Sequence, residues 1–397
     1  MSARPTSLTA VATRWFEVGQ SSDPAARTAG EHAARTALAG RTAKLLVVFC
    51  SDAYDLPELL ATIDEESGGI PLVGCSTAGE IASNGPTNAS VVVAALGGDG
   101  FEVATAAAEG ASARLREAGA EVANSMLDLP SSPHRVLLML TDGLAGDQQE
   151  IVRGAYGVLG AEVPLVGGCA GDDRKMQATY QFHGTAVLSD AVVAAAIVSE
   201  TPLGIGVRHG WRRVGEPMLV TKSARARVFE LDDEPALDVY LDRLAAPAEA
   251  RSSPAAFTRF ALTHPLGLSR RSGEEQVRSV GGADFEARSL VCISEVPQGG
   301  LAWFMEGGER SVLEATDAAC ADALARLGGR PPIGMLAFDC IARRGVLGRE
   351  ASKQEVERVA HHAAGAPVAG FYTYGEIART HGVSGFHNQT LVVLALS

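Results

Sequence analysis

Six consecutive apolar residues, Leu45-Leu46-Val47-Val48-Phe49-Cys50, form a run of the kind found in strands buried on both faces. Ahead of it the pattern predicts a strand near Arg14–Val18. A helix then opens at Asp23-Pro24, an N-cap followed by proline in the first turn, and ends at Gly40. After the run come a helix over Leu56–Glu66, a short strand Ile70–Val73 and the turn Gly74-Cys75-Ser76-Thr77-Ala78-Gly79-Glu80.

The same order returns twice. Val136–Leu140 predicts a strand, Gln148–Leu159 a helix, Pro164-Leu165-Val166 a second strand, and Gly167-Gly168-Cys169-Ala170-Gly171-Asp172-Asp173 the turn. A more diverged copy has Ile333–Phe338, Lys353–Ala364, Pro367-Val368-Ala369 and the turn Gly370-Phe371-Tyr372-Thr373-Tyr374-Gly375-Glu376. Pro71, Pro164 and Pro367 correspond, as do Gly74, Gly167 and Gly370. An ungapped alignment places Glu80, Asp173 and Glu376 together, or Asp172 in the middle copy if one residue is missing there. Between the copies the chain is β-rich. Val91–Leu96 and Phe101–Ala108 flank Gly97-Gly98-Asp99-Gly100, a hairpin signal, and Tyr180–His183 and Thr185–Leu188 flank Gly184. The expected fold class is α/β: two related domains with mixed sheets flanked by helices, and the strand–helix–strand–Gly-turn unit occurring three times. The division expected is 10–240 and 241–397, with the Ala-, Pro- and Ser-rich stretch Ala245–Pro254 as linker.

Composition narrows the picture. The 397 residues exceed one ordinary core, 46% are hydrophobic, and only 5% are aromatic, which suits close-packed α/β layers. A net charge of −13 opposes binding to nucleic acid or anionic membranes, and pairs such as Arg212-Arg213 and Arg343-Arg344 make no basic stripe. The six cysteines include no CxxC pair, no signal-peptide pattern opens the chain, and the apolar runs are strand-sized; a cytoplasmic protein with reduced thiols is expected.

The turns carry the candidate chemistry. Glycine turns at strand ends present backbone N–H groups, and a nearby carboxylate adds an acceptor, so together they suit a zwitterion: amides for its carboxylate, Glu80, Asp172, Asp173 or Glu376 for its ammonium. Glycine and acid are also ordinary turn residues, and their repetition is what favours a site. Cys75 and Cys169 lie in these turns, but a nucleophilic thiolate needs a base and no local Cys–His signature exists. The nine histidines show no zinc or covalent-haem spacing. A single-histidine haem site leaves no spacing signature, and its candidates are His183, His209, His264, His381 and His387. Gly204-Ile205-Gly206 lacks the spacing and helix of a dinucleotide loop, and no phosphate loop or GxSxG elbow occurs.

These motifs, in order along residues 10–397, resemble the FIST family. The resemblance rests on Pro71–Ile81, on Gly167–Asp173, on His209-Gly210-Trp211 and on Val228–Asp232 with Pro235-Ala236-Leu237. It continues through His264-Pro265-Leu266-Gly267, Val277-Arg278, Val296–Gly300, Gly370–Glu376 and His387–Leu391. It implies an intracellular sensory module for a small ligand such as an amino acid. The binding residues it implies are Cys75, Ser76, Thr77, Gly79, Glu80, Gly168, Cys169, Gly171, Asp172, Asp173, Arg278, Tyr372, Tyr374, Gly375, Glu376, His387 and Asn388. Some members resemble haem-based nitric oxide sensors that regulate kinases or cyclic-dinucleotide enzymes, so a haem-bearing nitric oxide sensor is the alternative the resemblance implies, with no cofactor in the first reading, and such an enzyme, or a histidine kinase, is the implied separate partner. A Cys-dependent enzyme acting on a small acyl or amide substrate is the competing reading; otherwise no catalytic residues are expected.

Overall fold

The computed structural model describes residues 14–269, 275–380 and 385–397. The repeat read from the sequence is real and larger than its motif. Unit one runs through strand Trp15–Ser21, helix α1 (Ala26–Leu38), strand Leu45–Cys50, helix α2 (Leu56–Ser67), strand Leu72–Ser76, a hairpin (Glu80–Ala82, Gly85–Thr87) and strand Val91–Gly97. Unit two repeats it as Phe101–Glu109, α3 (Leu115–Ala123), Arg135–Thr141, α4 (Gln148–Leu159), Leu165–Cys169, the hairpin Gln181–His183 with Ala186–Leu188, and Ala191–Ser199. Unit three begins with Leu203–Arg208. After an insertion with its own sheet and helices α5 (Ala236–Arg243) and α6 (Pro254–Ala261), it resumes at α7 (Glu309–Ala325). It then runs through Gly334–Cys340, α8 (Ile341–His362), Val368–Thr373, the strands Glu376–Arg379 and Phe386–His387, and Leu391–Leu396.

Equivalent residues do equivalent work. The carbonyls of Pro71, Pro164 and Pro367 accept from the amides of Leu46, Leu137 and Met335, one hydrogen bond in the same place in each unit. A Cβ on Gly74, Gly167 or Gly370 would collide with the carbonyl oxygen of Val48, Met139 or Ala337 on the parallel neighbour, so only glycine fits. Gly204 and Gly206 are structural for a related reason: a Cβ there would strike the backbone of α7.

The units are interlocked. The hairpin of unit one completes the sheet of unit three, with Glu80 opposite Phe371; that of unit two completes the sheet of unit one, with Gln181 opposite Cys75; the strand pair of unit three completes the sheet of unit two, with Glu376 opposite Gly168. The inner faces of the three sheets share one core, in which Phe49, Phe338 and Phe371 pack with ring centroids 4.8–6.2 Å apart. Helix pairs cover the outer faces: α1 and α2 on the first sheet, α3 and α4 on the second, α7 and α8 on the third. The fourth sheet has its own core and meets unit three through Trp211, Val277, Met305, Leu313, Leu347 and Ala351.

Three expectations are corrected. Val91–Gly97 and Phe101–Glu109 form no hairpin: the glycines between them hand the chain from the first sheet to the second. Ala245–Pro254 is no free linker, since Ala246 and Ala250 are buried in the inserted unit's core. Finally, the third-copy helix expected at 353–364 begins at Ile341 and is broken at Gly348, where φ is 65°.

Candidate functional site

Strand exchange brings all three turns together at the carboxyl ends of their strands. Ser76 donates its hydroxyl to the carbonyl of Gly171 at 2.7 Å and accepts the amide of Tyr180 at 2.9 Å. The amide of Asp173 donates to the carbonyl of Thr77, that of Ala78 to Tyr372, and that of Tyr374 to Cys169. A Cβ on Gly171 would strike the amide of Ala78, one on Gly168 the side chain of Thr373, and one on Gly375 the ring of Phe386, so these glycines permit the crossing. Tyr374 ties unit three to unit two: its hydroxyl donates to Asp172, which also accepts the amides of Met176, Gln177 and Ala178.

Two of the acids expected to meet a ligand's ammonium, Glu80 and Glu376, are inside the fold. Glu80 and Glu376 have no exposed surface. Glu80 accepts from Thr77 and from the amide and hydroxyl of Ser90; Glu376 accepts from Thr373 and from the amide and hydroxyl of Thr390. Burial lifts both carboxyls to about 7 against the pull of these hydrogen bonds. The residue equivalent to them in unit two is neither Asp172 nor Asp173 but Gln181, because a longer turn separates it from its strand. Gln181 accepts the amide of Ala191 and donates to Thr179, keeping the same pin without a charge.

The cysteines are equally interior. Cys75 and Cys169 are buried, and burial holds both thiols far above the range in which a thiolate forms. Arg278 is buried and donates to the carbonyls of Glu295 and Val277, and Asn388 is buried and accepts from Ser294. Among the described residues, the histidines named as haem candidates are engaged within the fold. The Nε2 atoms of His183 and His387 face Thr105 and the carbonyl of Ala378. His209 accepts the amide of Trp211, and burial lowers it to about 4; His264 is stacked on Phe260 with centroids 4.2 Å apart. His381 lies outside the described residues.

What opens to solvent beside the turns is a cleft of about 1300 Å³. Unit one contributes Ala78, Thr87 and Asn88, unit two Asp173 and Arg174, and α8 contributes Arg344, Gly348, Arg349, Glu350, Ser352 and Lys353. Arg344 holds the centre. It donates to the carbonyl of Ala78 at 3.2 Å and to Asn88 at 2.9 Å, and its guanidinium lies 4.4 Å over the ring of Tyr372. Gly79 leaves room for it, since a Cβ there would collide with the guanidinium. Of the residues expected from the sequence, Asp173 lines the cleft, and Gly79 and Tyr372 seat Arg344. Arg174, Arg344, Arg349 and Lys353 outnumber Asp173 and Glu350, so a chain of net charge −13 places excess positive charge here. The sequence offered only the pair Arg343-Arg344 as a sign of it.

A threefold-repeated α/β body closed by strand exchange, with a cleft at the junction of its repeats, defines the class. The chain belongs to the FIST family: the FIST N domain matches residues 44–234 and the FIST C domain residues 236–379. FIST domains are generally sensory or signal-transduction domains. The uncharacterized protein Rv0628c of Mycobacterium tuberculosis is 26% identical over 395 residues, 94% of this chain and 97% of that protein. The uncharacterized protein MJ1623 of Methanocaldococcus jannaschii is 24% identical over 247 residues, 56% of this chain and 47% of that protein. No helix among the described residues is long and apolar enough to cross a membrane.

Proposed function

We propose that this chain is the ligand-binding half of an intracellular signalling pair, taking an amino-acid-like metabolite in the cleft and reporting it to a separate protein such as a histidine kinase or a cyclic-dinucleotide enzyme. The observation that carries this reading is that all three units meet around Arg344. A ligand there touches every repeat, and binding one arrangement better than another is what shifts a population. Arg344 is the anchor for a carboxylate, with Arg349 and Lys353 beside it, and Asp173 is the acceptor for an ammonium. The unpaired cysteines suit a reducing compartment.

Calorimetric titration with a panel of amino acids tests the proposal. A charge-assisted hydrogen bond is worth about 1.5–3 kcal/mol, so Arg344→Ala should weaken the best ligand roughly ten- to hundredfold, and Asp173→Asn should act in the same direction. The bound compound, recovered and weighed by mass spectrometry, should be unchanged. A panel that neither releases heat nor raises the melting temperature would remove the amino-acid reading. Product formation abolished by Cys75→Ala or Cys169→Ala would replace it with the enzymatic one.

A further inference from the structure

Beside the cleft lies a buried charged cluster that ligand recognition does not use. Tyr372, on which Arg344 stacks, is the register partner of Asp339 on the parallel neighbouring strand, so both side chains leave the same face of the sheet. Arg343 donates from Nε to Asp339 Oδ1 at 2.8 Å and from Nη2 to Glu355 Oε1, which also accepts from Thr316 at 2.8 Å. All of these side chains are buried. Three atoms remain buried without a hydrogen-bond partner: Asp339 Oδ2, Glu355 Oε2 and the Tyr372 hydroxyl. In units one and two the equivalent register pairs are Cys50 with Ser76 and Thr141 with Cys169, so the repeat itself requires no acid here.

Two carboxyls and one guanidinium leave one negative charge in excess where water cannot screen it. The other groups facing the pair do not supply the missing positive charge. Glu376 adds a further acid from the strand exchanged into the sheet of unit two, the thiols of Cys320 on α7 and of Cys340, next to Asp339, are held neutral by burial, and Arg344 is committed to the cleft. A single proton shared between the two orphaned carboxyl oxygens satisfies both at once.

We propose that Asp339 carries a proton at neutral pH, donated from Oδ2 to Oε2 of Glu355, and that its release to solvent is a switch that unlatches the second half of α8. Burial, then the charge of Glu355, pushes Asp339 well above the usual carboxylate range, while Arg343 opposes them. The mechanical part is the break at Gly348: Arg343 precedes it and Glu355 follows it, so the shared proton and the guanidinium together clip both halves of α8 to the strand. Without the proton two like charges face each other across that clip. The freed half carries Arg349 and Lys353 in the cleft, and Ala351 against the inserted sheet's junction, so the switch reaches both, whatever ligand the cleft takes.

Infrared spectroscopy of the full chain in heavy water reads the proton directly, because a buried carboxylic acid has a C=O stretch that a carboxylate lacks. Glu80→Gln with Glu376→Gln removes the two other buried acids; in that background the protein should show such a band, lost on alkaline titration, and adding Asp339→Asn should abolish it. Trypsin reads the latch at the exposed Arg349 and at Lys353. Normalised to a peptide substrate, cleavage there should rise severalfold with alkaline pH in the wild type and stay level in Asp339→Asn, whose neutral amide still donates to Glu355. Should that variant fail to fold, Glu355→Gln serves in its place and must alter the same band. The proposal fails if that background lacks the band, or if the band survives in it with both further variants. It also fails if cleavage of the wild type is unchanged at alkaline pH. A missing band together with a melting temperature that rises in sodium or potassium over choline would assign the charge to a cation instead.

Discussion

Glu80 and Glu376 each accept three hydrogen bonds from the turn and strand entry they join, and Gln181 performs the same service in unit two. Glu376→Gln is therefore expected to keep the fold, with Thr373 turning its hydroxyl to match. Glu376→Ala, which orphans the buried amide and hydroxyl of Thr390, should cost about 1–3 kcal/mol or more in chemical denaturation. The sign of the pH effect follows from the raised carboxyls. The native state holds these protons more tightly than the unfolded chain does, so their contribution is full below the ordinary carboxylate value and is lost as pH rises through about 7. The double variant Glu80→Gln, Glu376→Gln should lose less stability than the wild type between roughly pH 5 and pH 7.5, by on the order of 2–3 kcal/mol per carboxyl. An identical pH profile for both proteins would show that neither carboxyl binds a proton in this range. At this scale the sequence showed that the acids matter and misled about why. A turn acid pinning a strand and a turn acid meeting a ligand have the same local pattern, and burial decides between them.

Among elements, the continuous apolar runs and the prolines and glycines around them were legible because each answers a local need. Gly370 is one such case, and its replacement by alanine should cost about 1–3 kcal/mol, since the carbonyl of Ala337 occupies the space the methyl would need. Gly157 is the control. It lies in helix α4 with no atom within 4 Å of a built Cβ, so Gly157→Ala should stabilise by roughly 0.5–1 kcal/mol. Thermal melts of the two variants should move in opposite directions. What was not legible is partnership. The glycines at 97–100 announce a turn but not which sheet follows, and Val91–Gly97 and Phe101–Glu109 therefore read as a hairpin although they serve different sheets. The cleft failed to show for the same reason: Arg174 and Arg344 are 170 positions apart by number and meet only because a turn of unit one is threaded beneath α8.

At the scale of the whole molecule, strand exchange makes the FIST N and FIST C regions mutually dependent. The hairpin Glu80–Ala82 with Gly85–Thr87 and the strand Leu203–Arg208 come from the N-terminal region but complete the sheet whose central strands are Gly334–Cys340, Val368–Thr373 and Leu391–Leu396. In return, Glu376–Arg379 closes the edge of the sheet of unit two. A motion that opens the two regions about a linker would have to break these ladders, so signalling through rigid-body separation is disfavoured, and local movement along α8 is the cheaper route. A cut between residues 240 and 241 tests the dependence. The fragment 241–397 retains the central strands of its sheet but loses both flanks, and it also loses three of the eight strands of the inserted sheet, Arg212–Ala224, Arg227–Leu231 and Glu234–Pro235. Alone it should be insoluble or lack a cooperative melt, because unpaired ladders and uncovered apolar faces have no substitute partner. The fragment 1–240 keeps every strand of the first sheet and should retain more structure, though with its exchanged hairpin unpaired. Produced together, the two should co-purify as a one-to-one complex whose melting transition approaches that of the intact chain. A fragment 241–397 that is monomeric, soluble and cooperatively folded by itself would show that the exchange contributes little, and a separation of the two regions would then again be open as the signalling motion.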